Sequence, residues 1–176
     1  MSSTFTGPIR VFKRNNPTND GTIAPDNTGA VNVSQQVQFS GVAAAGAITT
    51  YGIGSQSTTV DSIVIPAGAM LSNIRLFETT APSALTSGVI TVAIGATTIG
   101  TITPTATNGG VISYVPATTT AAAALLANVG TSDVTLTFTW ARSAITGTLA
   151  GVIDVSYIAR NLDGSIVAYG SGYTNN

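Results

Sequence analysis

Short stretches in which apolar and polar residues alternate fill most of the chain after residue 32. The clearest is residues 133–140 (DVTLTFTW), where the apolar side chains share one face and Asp133 and the threonines share the other. A period of two is that of a β-strand, so this segment predicts a strand with one face on a core and the other toward solvent or a neighbour. Residues 151–158 (GVIDVSYI) are predicted to be its pairing partner.

Other strand patterns are separated by turn signals rich in Gly, Pro and Asn. Residues 89–94 and 97–103 flank the dipeptide Gly95-Ala96 and predict a hairpin. About ten short strands of this kind predict an all-β fold, an antiparallel β-sandwich that is jelly-roll-like. The remaining patterns lie at residues 33–39, 48–53, 59–65, 70–77, 111–115 and 165–169.

One short helix is predicted inside this β-rich region. Residues 121–127 (AAAALLA) have strong helix propensity, and a threonine among residues 118–120 can cap the start. Asn128 and Gly130 would end the helix. We expect it to cover an open end of the core.

Residues 1–32 differ from the rest of the chain and predict an extended N-terminal arm. They hold three of the six basic residues and three of the seven prolines, among dense turn signals. We therefore divide the chain into this arm, residues 1–32, and a β-sandwich domain, residues 33–176. The apolar anchors of the arm are Phe5, Ile9, Val11 and Phe12.

Side chains that carry enzyme chemistry are scarce. Charged residues make up 7% of the chain, against about a quarter in an ordinary soluble domain. There is no His and no Cys, which excludes a Ser-His-Asp triad in its usual form, disulfides and thiolate chemistry. We predict that the protein is not an enzyme, and we assign it no catalytic, cofactor-binding or metal-binding residue and no cofactor.

The charge balance also limits the classes of partner that the protein is expected to bind. The formal net charge is −1, and Asp20 and Asp26 offset the basic residues Arg10, Lys13 and Arg14. We therefore predict neither a nucleic acid nor a membrane partner. The N-terminus has no apolar segment typical of a secretory signal, which indicates synthesis in the cytoplasm. So few charges favour association, and we expect identical copies or a larger assembly to cover much of the surface.

Two groups of acidic residues have a simple structural interpretation. Asp20 and Asp26 lie among asparagines and supply oxygens of the kind that Ca²⁺ prefers, but the EF-hand spacing is absent and Asx-turns account for the cluster. Asp61, Asp133 and Asp154 lie in candidate strands. A carboxylate pair can hydrolyse glycosides, but nothing in the sequence places these three together, so surface positions on polar faces are favoured.

Aromatic residues in the second half of the chain are candidates for sugar binding or for interfaces. Trp140 continues the apolar face of its strand and is predicted to lie in the core. Tyr169 and Tyr173, near the C-terminus, are the better interface candidates.

Several short motifs resemble small β-rich structural proteins of tailed-phage virions. They are residues 3–10 (STFTGPIR), 65–69 (IPAGA) followed by 71–74 (LSNI), 126–130 (LANVG), and the strands at 134–140 and 152–159. The resemblance covers most of the chain and implies a capsid cement, or decoration, protein. Such proteins bind the outside of an icosahedral head, clamp neighbouring major capsid subunits, and are often trimers with a jelly-roll or related sandwich fold.

The resemblance implies a homotrimer on the capsid exterior, with the major capsid protein as partner and the arm as a contact element. Two alternatives stay open. One is another virion component, such as a tail, fibre or head-tail connector protein, and the other is a carbohydrate-binding module that uses exposed tyrosines. The arm residues expected to contact the capsid are Phe5, Ile9, Arg10, Phe12 and Arg14.

Overall fold

The computed structural model describes residues 31–42, 44–52, 62–85, 87–106, 110–143 and 145–160. This part of the chain forms an antiparallel β-sandwich with one short helix, α1 (Thr120–Ala127), which confirms the predicted fold class. Its strands are β1 (Val31–Val42), β2 (Gly46–Ala47), β3 (Tyr51–Gly52), β4 (Val64–Ile65), β5 (Met70–Thr80), β6 (Ala84–Leu85), β7 (Gly88–Ile94), β8 (Thr97–Ile102), β9 (Val111–Ser113), β10 (Val115–Pro116), β11 (Val134–Arg142), β12 (Ile145–Thr146) and β13 (Leu149–Ala159).

Two sheets pack face to face. One has five strands in the order β3-β1-β13-β5-β9, and the other has six in the order β10-β8-β7-β11-β2. Strand β4 also pairs with β11, and β12 forms a small ribbon with β6. Side chains from the inner faces of both sheets form one apolar core, whose largest fully buried members include Trp140 and Phe39.

Strand β11 shows how the sequence pattern sets the layers. Leu136, Phe138 and Trp140 are buried, and the threonines between them are exposed, as the alternation predicts. The predicted pairing of this strand with residues 151–158 is wrong: β11 pairs with β7, whereas β13 lies between β1 and β5 in the other sheet. Alternation determines which face is buried, but two strands that bury the same core can belong to opposite sheets.

The predicted hairpin and helix are confirmed. Strands β7 and β8 pair across a tight turn in which Gly95 has a φ of +56°, a conformation that favours glycine. The hydroxyl of Thr119 accepts a hydrogen bond from the amide of Ala122 at 3.2 Å and caps the start of α1. Helix α1 packs on β8 and β5, one strand from each sheet, and so covers the gap between the sheet edges.

Residues 111–115, predicted as one strand, form two. Strand β9 extends the five-stranded sheet beside β5, and β10 extends the six-stranded sheet beside β8. Tyr114 lies between them: its amide donates to the carbonyl of Ile74 at 3.1 Å, and its hydroxyl donates to the carbonyl of Ile99. The segment therefore crosses from one sheet to the other and closes one side of the sandwich.

Candidate functional site

The two ends of the described chain leave the sandwich side by side. Strand β1 begins at Val31, strand β13 ends at Ala159, and these two residues are direct partners in the antiparallel register. Neighbouring strands lie about 4.8 Å apart, so residues 1–30 and 161–176 attach at adjacent points. We call this end of the sandwich the arm end. The predicted contact residues all lie outside the described residues: Phe5, Ile9, Arg10, Phe12, Arg14, Tyr169 and Tyr173.

Two motifs that are distant in sequence meet at the arm end. The amide of Gly68 donates to the carbonyl of Gly130 at 2.7 Å, and the amide of Val129 donates to the carbonyl of Ala69 at 3.1 Å. These bonds join the turn before β5 to the segment after α1. The IPAGA and LANVG motifs are therefore hydrogen-bonded neighbours, an adjacency that the sequence pattern did not predict.

The charged side chains of Arg160 and Asp133 both form hydrogen bonds with the turn before β5. The Nε–H of Arg160 donates to the carbonyl of Gly68 at 3.0 Å, and a terminal N–H of the same guanidinium donates to the carbonyl of Ala127. The Oδ1 atom of Asp133 accepts from the amide of Ala67 at 2.9 Å. A cation at the C-terminal end of a helix is favourably placed. Sequence reasoning missed Arg160, whose only signal was a single arginine directly after the last strong strand pattern.

A shallow uncharged groove lies next to the arm end, between the start of β5, strand β10 and α1. Its volume is about 180 Å³, and none of its lining residues is charged. The hydroxyl of Ser72, on its rim, lies 3.5 Å from Oδ1 of Asn32, the second residue of β1. Burial raises the pKa of Tyr114 to about 12, so its hydroxyl stays neutral at physiological pH. The lining residues are Leu71, Ser72, Asn73, Ile74, Tyr114, Pro116 and Leu126.

The outer face of the six-stranded sheet carries short, uncharged side chains. Thr135, Thr137 and Thr139 of β11 are exposed, as predicted. We call the surface around them the threonine face. One row of paired residues across it, from β10 to β2, reads Val115, Thr101, Thr91, Thr139 and Ala47.

The outer face of the five-stranded sheet holds a compact polar cluster around Asp154. Asp154 was expected at the surface, but only 6% of it is exposed, and side chains of the neighbouring strand β1 hydrogen-bond to it. Its Oδ1 accepts from the hydroxyl of Ser34 at 2.5 Å and from Nε2 of Gln36 at 2.9 Å. Arg75 is its register partner on β5, and the Nε of Arg75 is buried without a hydrogen-bond partner.

Glu78 is the buried carboxylate of the inner face. Its exposed fraction is 3%, Oε2 accepts from the hydroxyl of Thr105 at 3.1 Å, and Oε1 is buried without a partner. Desolvation raises the pKa of Glu78, partly opposed by the hydrogen bonds from Thr105. Glu78 pairs in register with Gly151 on the core side, whereas Asp154 lies on the outer side. The sheet thus separates the two carboxylates, and they do not flank a common cleft.

Asp133, Asp61 and Trp140 are the remaining residues for which the sequence predicts a position. Asp133 is exposed, as predicted, and Asp61 lies outside the described residues. Trp140 is 1% exposed, which confirms its predicted place in the core. Within the ranges given above, no group of three or more acidic, His or Cys residues is placed to hold a metal ion, and no helix is long and apolar enough to cross a bilayer.

Comparison of the chain with family models, with curated proteins and with solved structures found no match in any of the three. Function is therefore inferred from the geometry of the chain itself. That geometry defines a β-sandwich with a hydrogen-bonded arm end from which both outlying segments depart.

Proposed function

We propose that this protein is a phage capsid cement protein, a homotrimer that binds the outer surface of the head and stabilises contacts between major capsid subunits. The observation that carries the proposal is the pairing of Val31 with Ala159 at the arm end. It brings the attachment points of the arm and of the C-terminal segment, which hold the predicted contact residues, onto adjacent strands. A protein held through both segments would present one end to its partner.

The hydrogen bonds at the arm end support this role. Arg160 and the backbone of Gly68, Ala69, Val129 and Gly130 connect the turn before β5 to the end of α1. A segment bound to a capsid transmits load to the domain where it is attached. An attachment point that is held by several hydrogen bonds resists local opening better than a frayed strand end does.

In this proposal, the apolar residues of the arm supply the binding energy for the contact with the capsid. Burial of a Phe or Ile side chain contributes about 1.5–3 kcal/mol, part of which offsets the ordering of the segment. Three arms in one trimer act together, so the avidity of the trimer exceeds the affinity of one arm. Weak individual contacts, repeated over an icosahedral shell, would then hold the protein firmly.

The surface chemistry fits a particle that is exposed to the environment. The chain has no Cys to oxidise and no His to titrate near neutral pH. The threonine face offers hydroxyls without charge, so contact with water or with a neighbour there depends little on pH or salt. In this proposal the threonine face points away from the capsid.

The test is retention on purified heads that lack this protein. We expect the full chain to bind many symmetric positions in cryo-electron microscopy, and we expect deletion of residues 2–28 to reduce retention strongly. The variant Phe5→Ala/Ile9→Ala is a milder companion, and unchanged circular dichroism shows that each variant is folded. Undiminished retention of both variants would refute the role of the arm. Density at one vertex or on tails would indicate another virion component, and no association would leave glycan binding to be tested.

A further inference from the structure

The outer edge of strand β9 is the feature that carries a further inference. The carbonyl of Gly110 accepts from a β5 amide at 3.0 Å, and the amide of Tyr114 donates to a β5 carbonyl at 3.1 Å. Backbone groups alternate in direction along an antiparallel strand, so the N–H and C=O groups of both Val111 and Ser113 point away from β5. No other strand of the described chain lies on that side of β9.

The neighbouring edge strand, β10, is closed to further pairing. The amide of Ala117 donates to the carbonyl of Ile99 at 2.7 Å, so the backbone groups of the preceding residue, Pro116, face the outer side. Proline has no N–H to offer there, and a proline on an edge strand is one way in which proteins prevent sheets from joining. Strand β9 has no proline and no charged residue, and it pairs with β5 without a bulge. The chain therefore protects one of these two edges and leaves the other open.

The side chains around β9 also favour a contact at this edge. Val111 is 58% exposed on the outer face of the five-stranded sheet, where it continues a row formed by the partly buried Phe77 and Val152. No charged residue occurs in the sequence between Glu78 and Asp133, a stretch that includes β9 and β10. Edge strands that must stay single usually carry a charge, often a lysine. An exposed valine beside unpaired backbone groups is instead typical of an edge that another strand joins.

We propose that β9 pairs with β9 of a second copy of this chain, antiparallel and around a two-fold axis that passes beside Ile112. Val111 of one copy is then opposite Ser113 of the other. Each of the two Val111–Ser113 pairs exchanges both of its hydrogen bonds, because the outward backbone groups of the edge belong to these residues. The contact is self-complementary, since each copy supplies the same residues. It joins the two five-stranded sheets into one continuous sheet.

The charges on this sheet permit two identical copies to approach. In its five strands, the charged residues on the outer face are Asp154 and Arg75, which are register partners. Arg75 also pairs with Ser113, so the two copies of Arg75 would be separated by three strand spacings, at least about 14 Å. That distance exceeds the Debye length of about 8 Å at physiological salt. Repulsion between like charges of the two copies is therefore weak.

The inference does not rest on the proposed function, because it concerns the isolated protein. In a homotrimer, the contact would join a protomer of one trimer to a protomer of another. Strand β9 has three residues, so the contact is small, and contacts of this kind are typical of weak and reversible association.

Sedimentation equilibrium of the full chain tests the contact. We expect the average mass to rise with protein concentration, and we expect Val111→Lys to raise the Kd of this association at least about tenfold, because a charge then lies on the paired edge. Val115→Lys is the matched control, since Val115 is 62% exposed on the closed edge strand β10 and should leave the Kd unchanged. An average mass that is independent of concentration, or equal effects of the two variants, would overturn the proposal. A trimer that persists in Val111→Lys would leave the proposed function in place.

A disulfide measurement tests the register and covers the case in which a lysine disturbs folding. The chain has no native Cys, so Val111→Cys chains and Ser113→Cys chains are mixed and mildly oxidised. Opposed residues of this kind have Cα atoms about 5.5 Å apart, within disulfide range, whereas like residues would be roughly 8 Å apart. We expect the mixed disulfide, identified by mass spectrometry, to form at least about tenfold faster than a disulfide between like chains. Equal rates for mixed and like disulfides, or no disulfide faster than that of Val115→Cys chains, would refute the pairing.

Discussion

Gly100 lies so close to Tyr114 that a Cβ atom on the glycine would be 2.3 Å from Cε2 of the tyrosine ring. The same Cβ would be 2.4 Å from the carbonyl oxygen of Val115, a backbone atom that cannot move without disturbing the pairing of β10 with β8. The ring is held in place by the bond from its hydroxyl to the carbonyl of Ile99. This contact holds the segment that crosses between the sheets against the six-stranded sheet.

The first prediction concerns that contact. Gly100→Ala should destabilise the fold by about 1–3 kcal/mol, because neither the backbone of Val115 nor the anchored ring of Tyr114 can retreat freely. Gly110→Ala is the matched control, since its new Cβ would meet nothing nearer than 3.8 Å. Urea unfolding monitored by circular dichroism gives both values. A loss as large in the control as in Gly100→Ala would contradict the explanation.

The second prediction concerns the arm end. Arg160→Ala removes two hydrogen bonds from a charged donor to the carbonyls of Gly68 and Ala127, and these carbonyls then depend on water. Because the side chain is partly exposed, we expect a loss of about 1–2 kcal/mol in the free energy of unfolding. Arg142→Ala removes the same charge from the end of β11, where the buried Nε of Arg142 has no hydrogen-bond partner, and should cost less. Equal losses for the two variants would show that the bonds of Arg160 add nothing.

Particular residues show how far the sequence predicts this structure. The alternation in β11, the turn at Gly95 and the cap at Thr119 are local patterns, and each predicted its element. The pairing of β11 with β7, and the division of residues 111–115 between two sheets, depend on how the sheets close around the core. That closure is a long-range property, which a period of two does not encode.

The candidate site likewise has features that the sequence predicts and features that depend on long-range pairing. The arm was predicted from composition, but the adjacent attachment of residues 1–30 and 161–176 at Val31 and Ala159 follows only from strand register. Asp154 looked like a surface residue because its sequence neighbours alternate, yet it is buried and the side chains that hydrogen-bond to it come from another strand. The bonds of Arg160 at the arm end likewise join residues that are far apart in sequence.

The third prediction concerns pH and Glu78. Burial raises the pKa of this carboxyl above its usual value of 4.5, so the folded protein holds the proton at a pH where the unfolded chain has released it. The contribution of Glu78 to the free energy of unfolding therefore falls as the pH rises from about 4.5 through the raised pKa, and the loss is complete above it. Glu78→Gln stays neutral and should be more stable than the natural chain at pH 7.

The measurement is the difference in unfolding free energy between Glu78→Gln and the natural chain at several pH values. Other carboxyl groups titrate equally in both proteins, so the difference isolates Glu78. We expect the advantage of the variant to grow as the pH rises through the raised pKa of Glu78 and then to level off. A difference that does not change between pH 4 and pH 8 would show that the buried carboxyl carries no desolvation cost.

The fourth prediction separates the two surfaces that a partner can use. Thr139 is exposed in the centre of the threonine face, on a strand paired on both sides. Thr139→Lys adds length and a charge there without touching the core, so it should change the free energy of unfolding by less than about 1 kcal/mol. If the arm end faces the capsid, the variant should bind purified heads as well as the natural chain does. The matched arm variant Phe5→Ala should be released at lower salt or temperature.

The contrast between these two variants is the informative result, because each changes one surface and leaves the sandwich intact. A lysine in the middle of an uncharged contact would be desolvated without a partner, which costs several kcal/mol when the contact is tight. Loss of head binding by Thr139→Lys, with full binding by Phe5→Ala, would therefore assign the contact to the threonine face and reverse the orientation proposed here. Retention of Thr139→Lys together with loss of Phe5→Ala is the outcome that the paired ends of β1 and β13 lead us to expect.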